Sequence, residues 1–379
     1  MFPQTFATSD ELFAYLRSAA GGSLLVRDTD TSPYAVIYYN KKTSNMALPH
    51  VQASRSVVWD KVTNQAVFVA PAHGRKFGQA VDDKVTDFVA EEFVDGVMIN
   101  MFYAGGVWTL ATRTQIGATN NFYGTRPFAE LFWETFASVG LTQEDLNPAA
   151  TYSWVLQHPE ERIVVAAPYG IARLALVQVT GPVSEKLQAF QPEKYALATL
   201  EDVKEFVTAD GRRRGVQWQG VCLKVGGGGS SSVRYKLRSN EYDEARFLRG
   251  NQAKRPYTWL ELWSRGKLPA YLRIYPEEQC DADAVITNFK GCTQELHDLY
   301  MTVYRRKELP LGQAPQKYRK LLWDAHKANK GAYFPALRQF MNEQDTARKL
   351  WLVNYEVRYA PAAEPITVED LENQLEADV

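Results

Sequence analysis

Cysteine and histidine are scarce in this chain of 379 residues, with three of the first and five of the second. Cys222, Cys280 and Cys292 are odd in number and widely spaced, a poor disulfide framework that suits a reducing, intracellular compartment. His50, His73, His158, His297 and His326 lack ligand spacing, so no zinc centre is read from them. No apolar run approaches ~18 residues and no basic-then-apolar region opens the chain, which argues against a membrane span and a secretion signal. Net charge is also missing. The formal value of −1 gives no global pull on nucleic acid or anionic membrane, so any electrostatic partner surface must come from local clustering.

What is present fits a soluble globular protein of two or three domains: 45% hydrophobic and 23% charged residues. The charge is unevenly placed. Residues 211–255 hold eleven Lys and Arg against three Asp and Glu, and a second basic cluster runs over 305–330. Such stripes are what phosphate backbones seek, although a basic face is often only solvated. The nine tryptophans supply either core or contact surface.

Local patterns give the frame. Thr8 and Glu11 form a capping box for a helix over 8–20, followed by strands over 24–27 and 34–39 and a hairpin of 55–59 with 65–70. After a loop ending in Lys76-Phe77, residues 91–113 read as a turn at Val94-Asp95-Gly96, a strand over 97–103, a Gly105-Gly106 turn and a return strand over 107–113. A helix over 127–139 carries Phe128, Leu131, Phe132 and Phe136 on one face. Strands follow over 151–155 and 162–166, then a helix over 200–208 that a turn at Asp210-Gly211 ends. Residues 218–224 and 233–239 are strands around a GGGGSSS loop tip, 226–232. Apolar spacing of three to four then predicts helices over 242–249, 258–263, 292–306, 316–328, 332–342 and 345–350. The acidic tail over 367–378 reads as a frayed end rather than a docking helix.

Along that frame lie Arg55, Lys76-Phe77, Phe93-Val94-Asp95-Gly96, Thr112-Arg113, Tyr152-Ser153-Trp154 with Pro159-Glu160-Glu161-Arg162-Ile163-Val164-Val165, Gln219-Gly220-Val221-Cys222-Leu223-Lys224, and Lys236 with Arg238. This ordered set resembles the motifs of phage-type RNA ligases in the covalent nucleotidyltransferase superfamily. The resemblance implies that Arg55 and Lys76 face nucleotide phosphates, that Lys236 and Arg238 serve the α-phosphate, and that Arg113, Trp154 and Lys224 belong to the same nucleotide-binding set. It implies an α+β nucleotidyltransferase-like core of two antiparallel sheets flanking a cleft, with flanking helices, over 1–250. A helical C-terminal accessory domain follows over 256–379.

Three positions depart from the family, and they are the ones the chemistry needs. Phe93 stands where the family has its nucleophilic lysine, and a phenyl ring has no lone pair to attack a phosphorus. Ser153 replaces a glutamate that contacts the ribose. Gln219 replaces a carboxylate that helps hold the metal, and a neutral amide grips a hard divalent cation weakly. Phosphate-binding groups persist while reactive groups do not. The expectation is therefore an RNA ligase-like pseudoenzyme with no catalytic residue and no metal ligand, binding RNA, DNA or a nucleotide. ATP and Mg are cofactors only if the cleft remains competent. An active ligase using another lysine, Lys76 or Lys84, is the first alternative. A structural subunit of an RNA-processing or viral assembly, with protein partners and no membrane, is the second.

Overall fold

Strands with one apolar and one polar face dominate the first of two units, Met1–Ala253, and helices make up the second, Lys254–Val379. The computed structural model describes residues 2–30, 32–77, 87–226 and 233–359. Lys84, the loop tip at 227–232 and the acidic tail at 367–378 lie outside the described residues.

The strands of the first unit are β1 (Leu25–Arg27), β2 (Tyr34–Tyr38), β3 (Val57–Asp60), β4 (Gln65–Val69), β5 (Arg75–Lys76), β6 (Phe88–Glu92), β7 (Val97–Ala104), β8 (Val107–Ala111), β9 (Thr151–Gln157), β10 (Arg173–Thr180), β11 (Lys194–Tyr195), β12 (Gly220–Val225) and β13 (Val233–Arg238). Its helices are α1 (Ser9–Arg17), α2 (Pro49–Ala53), α3 (Phe128–Ser138), α4 (Glu185–Gln188), α5 (Leu200–Arg214) and α6 (Asn240–Arg249). They form three sheets, ordered β1-β2-β3-β4, β10-β9-β7-β8 and β11-β6-β12-β13-β5. All pairings are antiparallel except β13 with β5.

The period of two explains what each sheet presents. In the second sheet Ile99, Met101, Tyr152, Trp154, Leu156 and Leu176 turn to one side and bury α3 through Phe128, Leu131, Phe132 and Phe136. Each fully buried ring of this kind contributes about 1.5–3 kcal/mol. The opposite side carries Met98, Val155, Ala175 and Val177. In the third sheet Ala90, Val221, Leu223, Tyr235 and Leu237 pack on Val203 and Val207 of α5. Its other side is polar: Glu91 opposes Cys222, Cys222 opposes Lys236, and Lys224 opposes Arg234. A bulge in β10 between Leu176 and Gln178 leaves Val177 out of register with β9. Its carbonyl instead accepts Lys224 Nζ at 2.9 Å, tying the second sheet to the third.

The α+β class is as expected, and the two sheets at the cleft are joined by a third built from residues 25–69. Helix α1 covers that sheet with Leu12, Phe13 and Leu16. Thr8 caps it, accepting from the Glu11 amide at 3.3 Å, while Glu11 Oε2 takes the Ala7 amide at 3.1 Å.

Several element expectations need correction. Residues 162–166 are not a strand: Asp95 takes the amides of Val164 and Val165, which removes them from any ladder. The turn expected at Asp210-Gly211 is absent, and α5 runs on to Arg214 because Asp210 pairs forward with Arg213 and Arg214 along the helix. Strand β10 has no counterpart in the sequence reading, since its unbroken Leu174-Ala175-Leu176-Val177 run lacks alternation.

In the second unit α7 (Arg255–Ser264), α8 (Leu268–Ile274), α9 (Gln279–Tyr300), α10 (Gln316–Lys327), α11 (Phe334–Glu343), α12 (Thr346–Val353) and α13 (Tyr355–Tyr359) follow one another. The long α9 begins earlier than the 292 expected and packs against α7, α10, α11 and α12. Buried Glu278 accepts Trp259 Nε1 at 2.8 Å and Tyr271 OH at 2.7 Å. Within the basic cluster at 305–330, Lys317 pairs with Glu356 and Glu295, Lys330 with Glu343 and Arg306 with Glu308, so part of its charge is locally neutralised. Among the described residues no helix is long and apolar enough to cross a membrane.

Candidate anion-binding cavity

A cavity of about 500 Å³ opens between the polar side of the third sheet and the apolar side of the second. Met98, Val155 and Val177 form its apolar wall. Opposite them stand Arg234, Lys236 and Arg238, successive same-side positions of β13. The segments between β2 and β3 contribute Tyr39, Lys41 and Arg55, while Arg113 follows β8 and Arg246 comes from α6. Seven guanidinium or ammonium groups thus line one cavity.

Local bonds fix the backbones that carry them. On either side of Arg55, Ser54 Oγ donates to the His50 carbonyl at 2.7 Å and Ser56 Oγ to the Thr112 carbonyl at 3.4 Å. Arg113 donates to the Tyr39 carbonyl and lies 4.7 Å from the centre of the Tyr39 ring. Helix α6 starts on Ser239, whose Oγ accepts the Tyr242 amide at 3.1 Å and donates to the Trp218 carbonyl at 3.2 Å.

Asp95 is the organising acid of this region. Its Oδ2 accepts the Val164 and Val165 amides, both at 2.9 Å, and its Oδ1 accepts the Tyr242 hydroxyl at 2.6 Å. Three segments therefore meet on one carboxylate: the turn after β6, residues 162–166, and α6. Burial, with the Asp95 charge beside it, holds the Tyr242 hydroxyl protonated well beyond the ordinary range. Gly96 makes the turn possible. Its φ is +143°, and a Cβ there would lie 2.4 Å from the Leu156 carbonyl oxygen.

The electrostatics are lopsided. Lys41, Arg55 and Lys236 make no ion pair among the described residues. Arg238 has only Asp243, at 3.6 Å, and its guanidinium lies 5.7 Å from the Phe93 ring centre and 5.5 Å from that of Tyr242. Arg234 has Glu91 at 3.8 Å, but Glu91 is held more closely by Lys224, at 2.6 Å. Burial, then Arg238, Lys41 and Arg55, push the Lys236 ammonium down to about 8. Burial and the neighbouring arginines lower Lys41 as well, and burial lowers Arg55. His73 is pushed down to about 4 by burial and by Lys41 and Lys236, so its ring is neutral at pH 7. Two unit charges ~8 Å apart repel by about 2 kcal/mol at an effective dielectric constant of ~20, so an anion seated among seven cations relieves a standing repulsion.

The expected site residues divide into three groups. Arg55, Arg113, Lys236 and Arg238 meet in the cavity. Lys76 stands outside it, exposed, in an adjoining depression of about 750 Å³ that Lys41, His73, Lys236 and Arg238 also line. Trp154 and Lys224 do not reach it. Trp154 is fully buried among Phe132, Phe136, Tyr152 and Phe190, because its strand position faces α3, and so has no face free for a ligand. Lys224 is sequestered by Glu91 and the Val177 carbonyl.

Of the three departing positions, Phe93 and Gln219 line the cavity, whereas Ser153 is buried with its Oγ 3.3 Å from Asn100 Oδ1. Lys41, Arg234 and Arg246 were missed. Arg234 was findable, since 234, 236 and 238 share one side of a strand, but nothing local marks Lys41 or Arg246.

Of the carboxylates that line the cavity, Asp95 has both oxygens taken and Glu91 pairs with Lys224, which leaves Glu92 as the one without a hydrogen-bonded or ionic side-chain partner among the described residues, beside the neutral Gln219. Among the described residues no group of three or more His, Cys, Asp or Glu is placed to hold a metal.

No family model matches the chain, and no curated protein matches it. Among solved structures it is similar to an archaeal ATP-dependent RNA ligase in two forms. Form 1 has a TM-score of 0.43 and 13% identity, covering 97% of this chain and 86% of that one. Form 2 has a TM-score of 0.43 and 12% identity, covering 97% and 95%. A putative ATP-dependent DNA ligase from Aquifex aeolicus has a TM-score of 0.39 and 13% identity, covering 97% and 87%.

Proposed function

We propose that this chain is an RNA ligase-like binding protein that holds a nucleotide, or the phosphorylated end of an RNA or DNA strand, without forming a lysyl-AMP intermediate at position 93. The observation that carries the reading is the cavity's seven cations, of which only Arg234 and Arg238 make an ion pair among the described residues. Glu91, Glu92 and Asp95 line the same cavity, so the cations outnumber the acids by four, and a multiply charged anion offsets the repulsion that remains. The apolar wall of Met98, Val155 and Val177 suits the uncharged part of a nucleoside. Phe93 supports the absence of covalent chemistry there, since its ring occupies the cavity wall beneath Arg238 and supplies no nucleophile.

Calorimetry with tripolyphosphate, ATP and 5′-phosphorylated RNA and DNA oligonucleotides at low salt tests this reading. Arg55→Ala is expected to weaken each by tenfold or more, as befits a charge-assisted contact. No heat from any of these ligands on the wild-type chain would remove the proposal.

One observation favours a second reading. Lys236, with a pKa lowered to about 8, keeps part of its amine unprotonated near neutral pH and faces the same cavity. In an enzyme it would take the place of the missing lysine: its Nζ would attack the α-phosphorus of ATP, the bond to pyrophosphate would break, and the amine proton would pass to solvent. Incubation with α-labelled ATP, with and without magnesium, decides between the two. A label that survives denaturation and is lost in Lys236→Arg makes the chain an enzyme, and an unlabelled protein that still binds ATP leaves the binding reading in place.

A further inference from the structure

Beside the main cavity lies a smaller chamber of about 270 Å³ that shares Arg55, Arg113 and Arg246 with it. The rest of its wall differs in character. Phe122 and Tyr123 stand edge to face with ring centres 4.7 Å apart, and Val97 and Phe128 add apolar surface. Asn120 supplies a polar group: its side-chain oxygen accepts from Thr112 Oγ1 at 3.0 Å, which turns its amide nitrogen away from that bond.

This wall is held in place. The buried Glu161 carboxylate accepts three successive amides, those of Phe122, Tyr123 and Gly124, at 3.2, 2.9 and 2.8 Å. The Arg249 guanidinium lies 4.1 Å from the Tyr123 ring centre and donates to the Arg162 carbonyl at 2.9 Å. Phe122 nevertheless remains 42% exposed. A buried charge has been committed to presenting an aromatic ring to solvent, beside three arginines. The combination of a stacking surface and a neighbouring cationic groove is how single-stranded nucleic acid is held. The volume falls below the ~300–1,000 Å³ typical of a pocket that encloses a whole small ligand, and suits one planar ring.

We propose that this chamber holds the second nucleobase of a strand end whose first nucleotide fills the main cavity, with the phosphate between them on Arg55, Arg113 and Arg246. The proposal rests on the reading of the main cavity as a phosphate site and adds a substrate class: a strand end rather than a free mononucleotide. Phe122 supplies the stacking face.

The test is calorimetry on the full chain at low salt with four probes: tripolyphosphate, AMP, a 5′-phosphorylated diadenylate in ribose and deoxyribose forms, and the same dinucleotide lacking its second base. The wild-type protein should bind the intact dinucleotide about tenfold or more tightly than the form lacking the base, the usual scale of base–aromatic stacking. Phe122→Ala should abolish that difference and leave tripolyphosphate and AMP unchanged, and Phe122→Trp should retain it. The ribose and deoxyribose arms report which kind of strand is preferred. If the second base adds nothing in the wild type, or if Phe122→Ala weakens AMP and dinucleotide alike, the inference is wrong while the phosphate reading stands. If tripolyphosphate, AMP and the dinucleotide all fail to bind, the phosphate reading falls and the inference falls with it.

Discussion

Between about pH 8 and the ordinary lysine value of 10.5, Lys236 in the free protein has lost a proton that a bound phosphate would restore. Binding in this window therefore takes up a proton, and affinity for tripolyphosphate should fall by up to tenfold per pH unit as pH rises from 8. Lys236→Arg keeps its charge throughout, so titrations at pH 7.5 and 9.5 should show a flatter profile in that variant, with a residual slope from Lys41. An identical wild-type affinity at both pH values would mean that Lys236 does not meet the anion. The same shift acts on stability with a definite sign. The folded pKa lies below the unfolded one, so the unfolded chain binds more protons between about 8 and 10.5, and stability rises with pH across that window. Below pH 8 the charged amine is a net burden, and Lys236→Met should raise the unfolding free energy at pH 7 while weakening anion binding. Asp95 behaves in the opposite way. Asp95→Ala orphans two amides and the Tyr242 hydroxyl and should cost about 2–4 kcal/mol in urea denaturation, well above Tyr242→Phe, which leaves both amides paired.

Helix α5 carries glycine at 211 because of what lies beside it. A Cβ on Gly211 would stand 2.6 Å from the Ser239 Cβ, at the cap that starts α6, so Gly211→Ala should destabilise by about 1–3 kcal/mol despite alanine's better helix propensity. Gly291, inside α9 with nothing within 4 Å of its Cβ position, is the control: Gly291→Ala should raise stability by about 0.5–1 kcal/mol. Thermal denaturation of both variants checks the pair, and a stabilised Gly211→Ala would mean that α6 can move aside. The same contrast explains what was legible. Hairpins with a glycine turn or alternating faces, such as β7 with β8, and helices with a clean apolar stripe, such as α3, carry their signal within a dozen residues. Gly211 reads as a helix stop, yet it is glycine for its closeness to Ser239, 28 positions away, and the pairs of Asp210 with Arg213 and Arg214 carry the helix past it. Residues 162–166 read as a strand because Ile163, Val164 and Val165 favour one, and only the long-range pull of Asp95 keeps them out of a sheet. Motif order singles out Arg55, Arg113, Lys236 and Arg238, which the fold brings to one cavity, and Trp154, whose place on β9 faces the core instead.

A chain with a net charge of −1 attracts no polyanion from a distance, so the ligand must be drawn by the cavity's own field over roughly one Debye length, about 10 Å at 0.1 M salt. Every residue that lines the cavity and its side chamber belongs to the first unit, the last being Asn251, whereas the second unit closes its own core around α9. A chain ending at Ala253 should therefore keep the affinity of the full protein for a 5′-phosphorylated oligonucleotide and the same salt dependence. With three phosphates seated, log K against log salt should fall with a slope of about −2 in both. Anion at a hundred times its dissociation constant should stabilise the first unit by about 2.7 kcal/mol and leave the unfolding of the second unaffected. A shallower slope in the shortened chain would show that residues 254–379 bring phosphate contacts of their own. An unchanged slope confines recognition to the seven cations, and makes the basic cluster at 305–330 a solvated surface rather than a continuation of the binding track.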